Sequence, residues 1–211
     1  MKRILSIILA ISLALSLSPG ANAQLFTVGA GYNGIFERLR SADGPSMSYT
    51  NGITAGFDWH YGFHRHIGYD VGVTYMLAFS RGENRENPGM KEHYRQHAIL
   101  VPLAINYSFM RIRYDYQLFI YGGPTVELGI SSRLYPEGRE SINLYSPDTG
   151  GQRRFNVWAG GGIGVDIFRS TIIKVGYQHS FLNDANHISR NMFTVGVEFT
   201  LFSKGAWQEA Y

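Results

Sequence analysis

Cysteine is absent from the 211 residues. That excludes disulfides, thiolate metal centres, Cys-based redox chemistry and a lipid anchor on an N-terminal Cys. Long apolar runs are equally scarce. The single one, Ile4 to Leu17, follows Lys2 and Arg3 and leads into Ser18-Pro19-Gly20 and Ala21-Asn22-Ala23. It is shorter than the roughly 20 residues of a spanning helix, so residues 1–23 read as a secretory signal peptide cut before Gln24 at an A-x-A site. Charge is thin as well, at 17%. The formal net charge of +3 includes Lys2 and Arg3, which leaves +1 for the remainder, too little to suggest a nucleic-acid partner.

What the chain has in quantity is glycine and aromatics, with 25 Gly, 14 Tyr and 13 Phe. They fall into a period-two alternation that recurs in segment after segment. Ile67, Tyr69, Val71, Val73, Tyr75, Leu77 and Phe79 are interleaved by Gly68, Asp70, Gly72, Thr74, Met76, Ala78 and Ser80. Segments of this kind near 26–32, 52–61, 67–80, 99–108, 118–131, 155–167, 173–181 and 193–201 make eight, an even number. Pro102 interrupts the fourth and calls for a missing ladder bond. The links alternate in length, short near 62–65, 111–115 and 169–170, longer and polar near 38–47, 81–94, 132–153 and 182–189. An all-β, eight-stranded antiparallel up-and-down transmembrane β-barrel over residues 24–202 accounts for this, with the tight turns periplasmic and residues 203–211 as a short C-terminal tail.

The direction of the faces decides between that barrel and a soluble periplasmic ligand-binding barrel. Eight strands enclose room only for side chains or one small ligand. Turning every Phe, Tyr, Ile and Leu inward would overfill the interior, whereas Gly, Thr and Ser fit it. The interior then also receives Asp58, Asp70, Glu127, Asp166, Lys174 and Glu198, and buried charges must be paired. A network is therefore predicted with Lys174 as its basic centre, flanked by Glu127 or Glu198. A packed salt-bridge core is favoured over a polar conduit. Trp59, Tyr61, Tyr107, Phe109, Tyr116 and Phe199 at one end, and Phe36, Tyr75, Phe79, Phe155, Phe181 and Phe193 at the other, are expected to form two interfacial girdles.

The segments GVTYMLAFSRG, ILVPLAINYSF, LFIYGGPTVELGI, GGGIGVDIF and RNMFTVGVEFTLF resemble the small, OmpA-like outer-membrane β-barrel domain family of Gram-negative envelopes. The resemblance implies residence in the outer membrane among its lipids and lipopolysaccharide, and handling by periplasmic chaperones and the barrel-assembly machinery. It implies that Phe193, Val195, Val197, Phe199, Leu201 and Phe202 form the assembly signal, here followed by further residues. A monomer without cofactors and with a structural or surface-interaction role is expected. The mixed-sign loop residues Arg81, Glu83, Arg85, Glu86, Lys91, Glu92 and Arg95 read as a solvated loop, with lipopolysaccharide phosphates or a surface partner as the functional alternative.

Chemical motifs are few. His60, His64 and His66 lie close in sequence, but no carboxylate or Cys stands at ligand spacing, and no metal site is expected. The rival function is a lipid A-modifying enzyme, because the lipid A deacylases among small barrels use a His-x-Ser pair with a Glu. His187 and Ser189 match the pair and Glu198 follows, yet strand parity sends Glu198 inward and the other two outward. A non-enzyme is the expectation.

Overall fold

The computed structural model describes residues 23–41, 44–62, 66–83, 91–112, 116–146, 148, 152–182 and 189–204. Residues 1–22, nearly all of the expected signal peptide, lie outside the described residues, as does most of the expected tail. Among the described residues there are nine strands: β1 (Ala23–Ser41), β2 (Gly44–Gly62), β3 (Ile67–Glu83), β4 (Lys91–Ile112), β5 (Tyr116–Pro136), β6 (Ile142–Asn143), β7 (Phe155–Ile167), β8 (Thr171–Ser180) and β9 (Ser189–Lys204). All pairings are antiparallel, and β1 pairs with β9 while β4 pairs with β5. Eight strands thus close into a ring with no free edge, and β6 adds two residues outside it along β5. Closure satisfies the strand backbone without water, which is what a bilayer demands.

The surface is inverted relative to a soluble protein. Ile53, Phe57, Val73, Ile105, Ile120, Ile163 and Tyr177 are exposed on the outside, Ile105 by 64%, while Thr27, Asp70, Glu127 and Glu198 are buried inside. Only a hydrocarbon surrounding removes such a belt from water. Phe26 and Phe36 mark its two edges on β1. Ten residues at roughly 3.3 Å each, tilted by about 40°, give a band about 25 Å tall, the height of a membrane barrel's apolar belt.

Several departures from strict alternation have local causes. The β3–β4 ladder skips from Val71↔Leu103 to Thr74↔Leu100, which frees the position of Pro102 from donating. A bulge between His97 and Ala98 opposite Ser131 and Gly129 leaves Ile130 unpaired, so Ser131, expected inside, turns to the outer face and Ser132 becomes fully buried. Another, at Phe26 and Thr27 opposite Phe202 and Thr200, puts both Leu201 and Phe202 outside. Tyr61, expected in a girdle, is 4% exposed and stacks on Tyr69 at 4.7 Å between ring centroids. The stretches expected as loops near 38–47 and 81–94 are in large part strand: β1 and β2 run on to Ser41 and from Gly44, and β4 starts at Lys91. The strands therefore rise well beyond the apolar band at the long-loop end.

Candidate functional site

The interior is layered. Nearest the short-turn end lie Leu25, Phe119, Ile172 and Asp166, all buried. Above them β2, β3, β8 and β9 each send one or two ionisable side chains to a common point. Lys174 Nζ is 2.7 Å from Glu198 Oε1 and 3.1 Å from Asp70 Oδ2. His60 lies between the same two carboxylates, its Nδ1 2.7 Å from Asp70 Oδ1 and its Nε2 2.8 Å from Glu198 Oε2. The Thr27 hydroxyl donates to Glu198 Oε2 at 3.1 Å and the Asn106 amide donates to Asp70 Oδ1 at 2.5 Å. Each carboxylate thus has three partners, the condition under which a buried charge is tolerated. Glycine makes the space: a Cβ on Gly72 would clash with Asp58 Oδ1.

Over this cluster sits a cavity of about 160 Å³, lined by the small residues Gly29, Gly31, Gly56 and Gly196 together with Asp58, Lys174 and Glu198. An apolar plug closes it on the far side. Ile35, Met76, Leu100, Trp158 and Met192 pack there, with Ile35, Met76 and Trp158 fully buried.

A second polar layer follows towards the long loops. Glu127 accepts from Trp158 Nε1 at 2.7 Å, Gln96 Nε2 at 2.8 Å and Asn156 Nδ2 at 3.3 Å. Arg190 spans from Glu37, at 2.9 Å, towards Glu127, at 4.0 Å, and lies 5.4 Å from the Trp158 ring centroid. Beyond β5 the chain turns back, and β6 pairs with Arg133 and Leu134. Tyr145 is buried, its hydroxyl accepts from Gln96 Nε2 at 3.3 Å, and the Arg154 guanidinium covers its ring at 5.0 Å. Burial raises the Tyr145 phenol above its ordinary value, so it stays neutral.

Of the residues singled out by sequence, Lys174, Glu198 and Asp70 come together, with Asp58 on the same cavity. Glu127 does not join them but anchors the second layer, and Asp166 lies at the short-turn end opposite Ile172. His60, marked in the sequence only by its closeness to His64 and His66, is central to the cluster. Arg190 and Glu37 form a further interior pair that no motif marks; their signal is parity, since each is an even number of residues from interior positions on its strand. His187 and His64 lie outside the described residues. Ser189 and Glu198 are nine residues apart on β9, about 30 Å at strand rise, and Glu198 is engaged by Lys174 and His60. Ser189 and Glu198 are therefore not brought together. Phe193, Val195, Phe199, Leu201 and Phe202 are exposed on the outer face of β9, with Val197 half-buried between them.

A closed antiparallel ring with a polar interior and an apolar exterior defines a transmembrane β-barrel. The family model of the outer membrane protein beta-barrel domain matches residues 21–186, and the chain belongs to that family. It is an outer-membrane protein. No curated protein matches the sequence significantly. Among solved structures, Ail, the attachment invasion locus protein of Yersinia pestis, in complex with the heparin analogue sucrose octasulfate, is similar with a TM-score of 0.51 and 11% identity, covering 85% of this chain and 99% of that one. Neisserial surface protein A matches with a TM-score of 0.45 and 14% identity over 85% and 99%. The outer membrane enzyme PagL matches with 0.41 and 14% over 82% and 98%.

Proposed function

We propose that the chain is a non-enzymatic outer-membrane barrel whose interior is a structural core and whose working surface is the long-loop end. The observation that carries this reading is the stack of layers across the lumen. The Lys174 cluster, the Trp158 plug and the Glu127–Arg190 layer follow one another along the lumen, with Tyr145 beyond them. A 160 Å³ void between such layers holds a few waters and no conduit. Among the described residues, the interior groups with acid–base chemistry at the centre of the barrel, His60, Asp70, Lys174 and Glu198, are engaged in ion pairs with one another, which favours a structural over a catalytic role for them.

Strands that continue past the apolar band lift the loops clear of the membrane, which suits contact with a surface partner. Attachment is what the name of Ail states of that protein, so adhesion is the first activity to assay here. Cells displaying the chain should adhere to a host-cell or matrix surface more than cells displaying a variant with residues 137–153 replaced by a short Gly-Ser linker; equal adhesion would count against the loop-end reading. The enzymatic rival is tested separately. Folded protein incubated with lipopolysaccharide should leave the number of lipid A acyl chains unchanged by mass spectrometry. Acyl loss that disappears in Ser189→Ala would overturn the proposal.

A further inference from the structure

On the outer face of β3, β4 and β5, just beyond the apolar band, the cross-strand rows change character. The row Tyr75, Ile99, Leu128 is lipid-facing; the next carries Leu77, His97 and Ser131, with the Tyr75 hydroxyl on His97 Nδ1. Above it come Phe79, Arg95 and Arg133, then Arg81, His93 and Tyr135. Arg95 and Arg133 are direct antiparallel partners, both exposed. Like charges directly opposite one another destabilise a sheet. Among the described residues neither arginine, nor Arg81, has a carboxylate within ion-pair distance. Arg95 instead lies 5.9 Å from the Tyr135 ring centroid. On the same face Glu137, two residues beyond Tyr135, accepts from the Lys91 N–H at 3.3 Å. A lateral cleft of about 500 Å³ opens here, lined by Leu77, Phe79, Arg81, His93, Arg95 and Tyr135.

We infer that this flank is a binding site for the phosphorylated headgroup of lipopolysaccharide. The site faces sideways, in the same direction as Phe79 and Leu77, and so meets the neighbouring lipid and not a partner approaching the loop tips. Its ligand must be an amphiphile with acyl chains at the level of Ile99 and Leu128 and anionic groups about four residues higher, roughly 13 Å along the strand. Lipid A has that form, with phosphates directly above its acyl chains. Guanidinium groups are the natural partners of phosphate, and the anion relieves the Arg95–Arg133 repulsion. The inference concerns the lipid-facing wall and does not depend on what the loops bind.

Binding is measured on the folded full-length chain in neutral detergent, with bisphosphorylated lipid A, the same lipid A stripped of phosphate, and phosphatidylglycerol as probes. The variant is Arg95→Gln with Arg133→Gln, each single variant is measured beside it, and Arg38→Gln on the far flank is the control matched in charge to the single variants. Phosphorylated lipid A should bind about tenfold more tightly than either other lipid, the scale of one strong charge-assisted contact. The double variant should lose that preference, while Arg38→Gln keeps it. Equal affinity for lipid A with and without phosphate, equal affinity for phosphatidylglycerol, or an unaffected double variant would each overturn the site. A second reading covers folding: without lipid A the double variant should unfold at higher urea than wild type, and with lipid A the order should reverse. A double variant that unfolds earlier without lipid would contradict the repulsion on which the site rests.

Discussion

Lys174 and Glu198 are diagonal neighbours on β8 and β9, 2.7 Å apart from Nζ to Oε1, each placed one pleat from the other by the pairings Lys174↔Gly196 and Ile172↔Glu198. Removing the lysine leaves Glu198 and Asp70 with His60 as their remaining basic partner. Lys174→Met should destabilise the barrel by about 3–5 kcal/mol, the usual cost of breaking a buried pair. Combining it with Glu198→Gln should recover part of that loss. Urea unfolding in detergent micelles, read by the folded and unfolded bands on an unheated gel, checks both; additive losses would show that the pair is not coupled.

Trp158 contributes more than volume to the second layer. Trp158→Phe keeps a six-membered ring and deletes the five-membered half that donates to Glu127, which should cost about 1–3 kcal/mol for an under-satisfied buried carboxylate, with a further loss for the space left at this fully buried site. Asn156→Ala removes a longer bond, 3.3 Å, to the same carboxylate, but also the acceptor of the Ser180 hydroxyl at 2.8 Å and of the Val157 N–H at 2.9 Å, and should cost at least as much. The comparison of the two unfolding midpoints tests the ranking.

Gly129 holds the cap in place by having no side chain, because a methyl group there would overlap the Tyr145 hydroxyl. Gly129→Val should expel Tyr145 and free the segment that carries it from the barrel mouth. Trypsin cleavage at Arg139 and Arg153 should then accelerate while the barrel stays folded, and Tyr145→Ala should reproduce the effect. Unchanged cleavage in both variants would mean that Tyr145 does not hold the loop.

The β7–β8 turn offers a gain in stability. Phe168 and Arg169 both have left-handed φ, 53° and 55°, in a turn closed by the Ser170 N–H on the Ile167 carbonyl at 3.1 Å. Phe168 is kept by its ring contact with Tyr116 at 5.4 Å. Arg169 has no such role, so Arg169→Gly should stabilise the barrel by about 1 kcal/mol.

Much of this architecture is legible in the sequence because a barrel wall has a simple code. Alternation in β3 and β9 names both faces, and the small residues of one face against the bulk of the other fix which is inside. The strand ends are less legible. Polar stretches such as Lys91–Arg95 alternate between two polar faces once the chain leaves the lipid, so nothing in their hydropathy separates strand from loop. Bulges at Ile130 and Leu201 shift parity by one residue without a compositional mark. The charge network is only partly legible, since parity says that Lys174, Asp70, Glu127 and Glu198 point inward but not at which height. The tilt and stagger of the strands set height, and they separate Glu127 from Lys174 by the apolar plug of Met76, Trp158 and Met192.

Conductance across a planar lipid bilayer tests the packed interior most directly. The folded chain, inserted at single-molecule density, should leave the membrane at its baseline, because two hydrogen-bonded layers and an apolar plug cross the lumen. Stable, long-lived conductance steps from the wild-type chain, absent when the protein is heat-unfolded before addition, would contradict it.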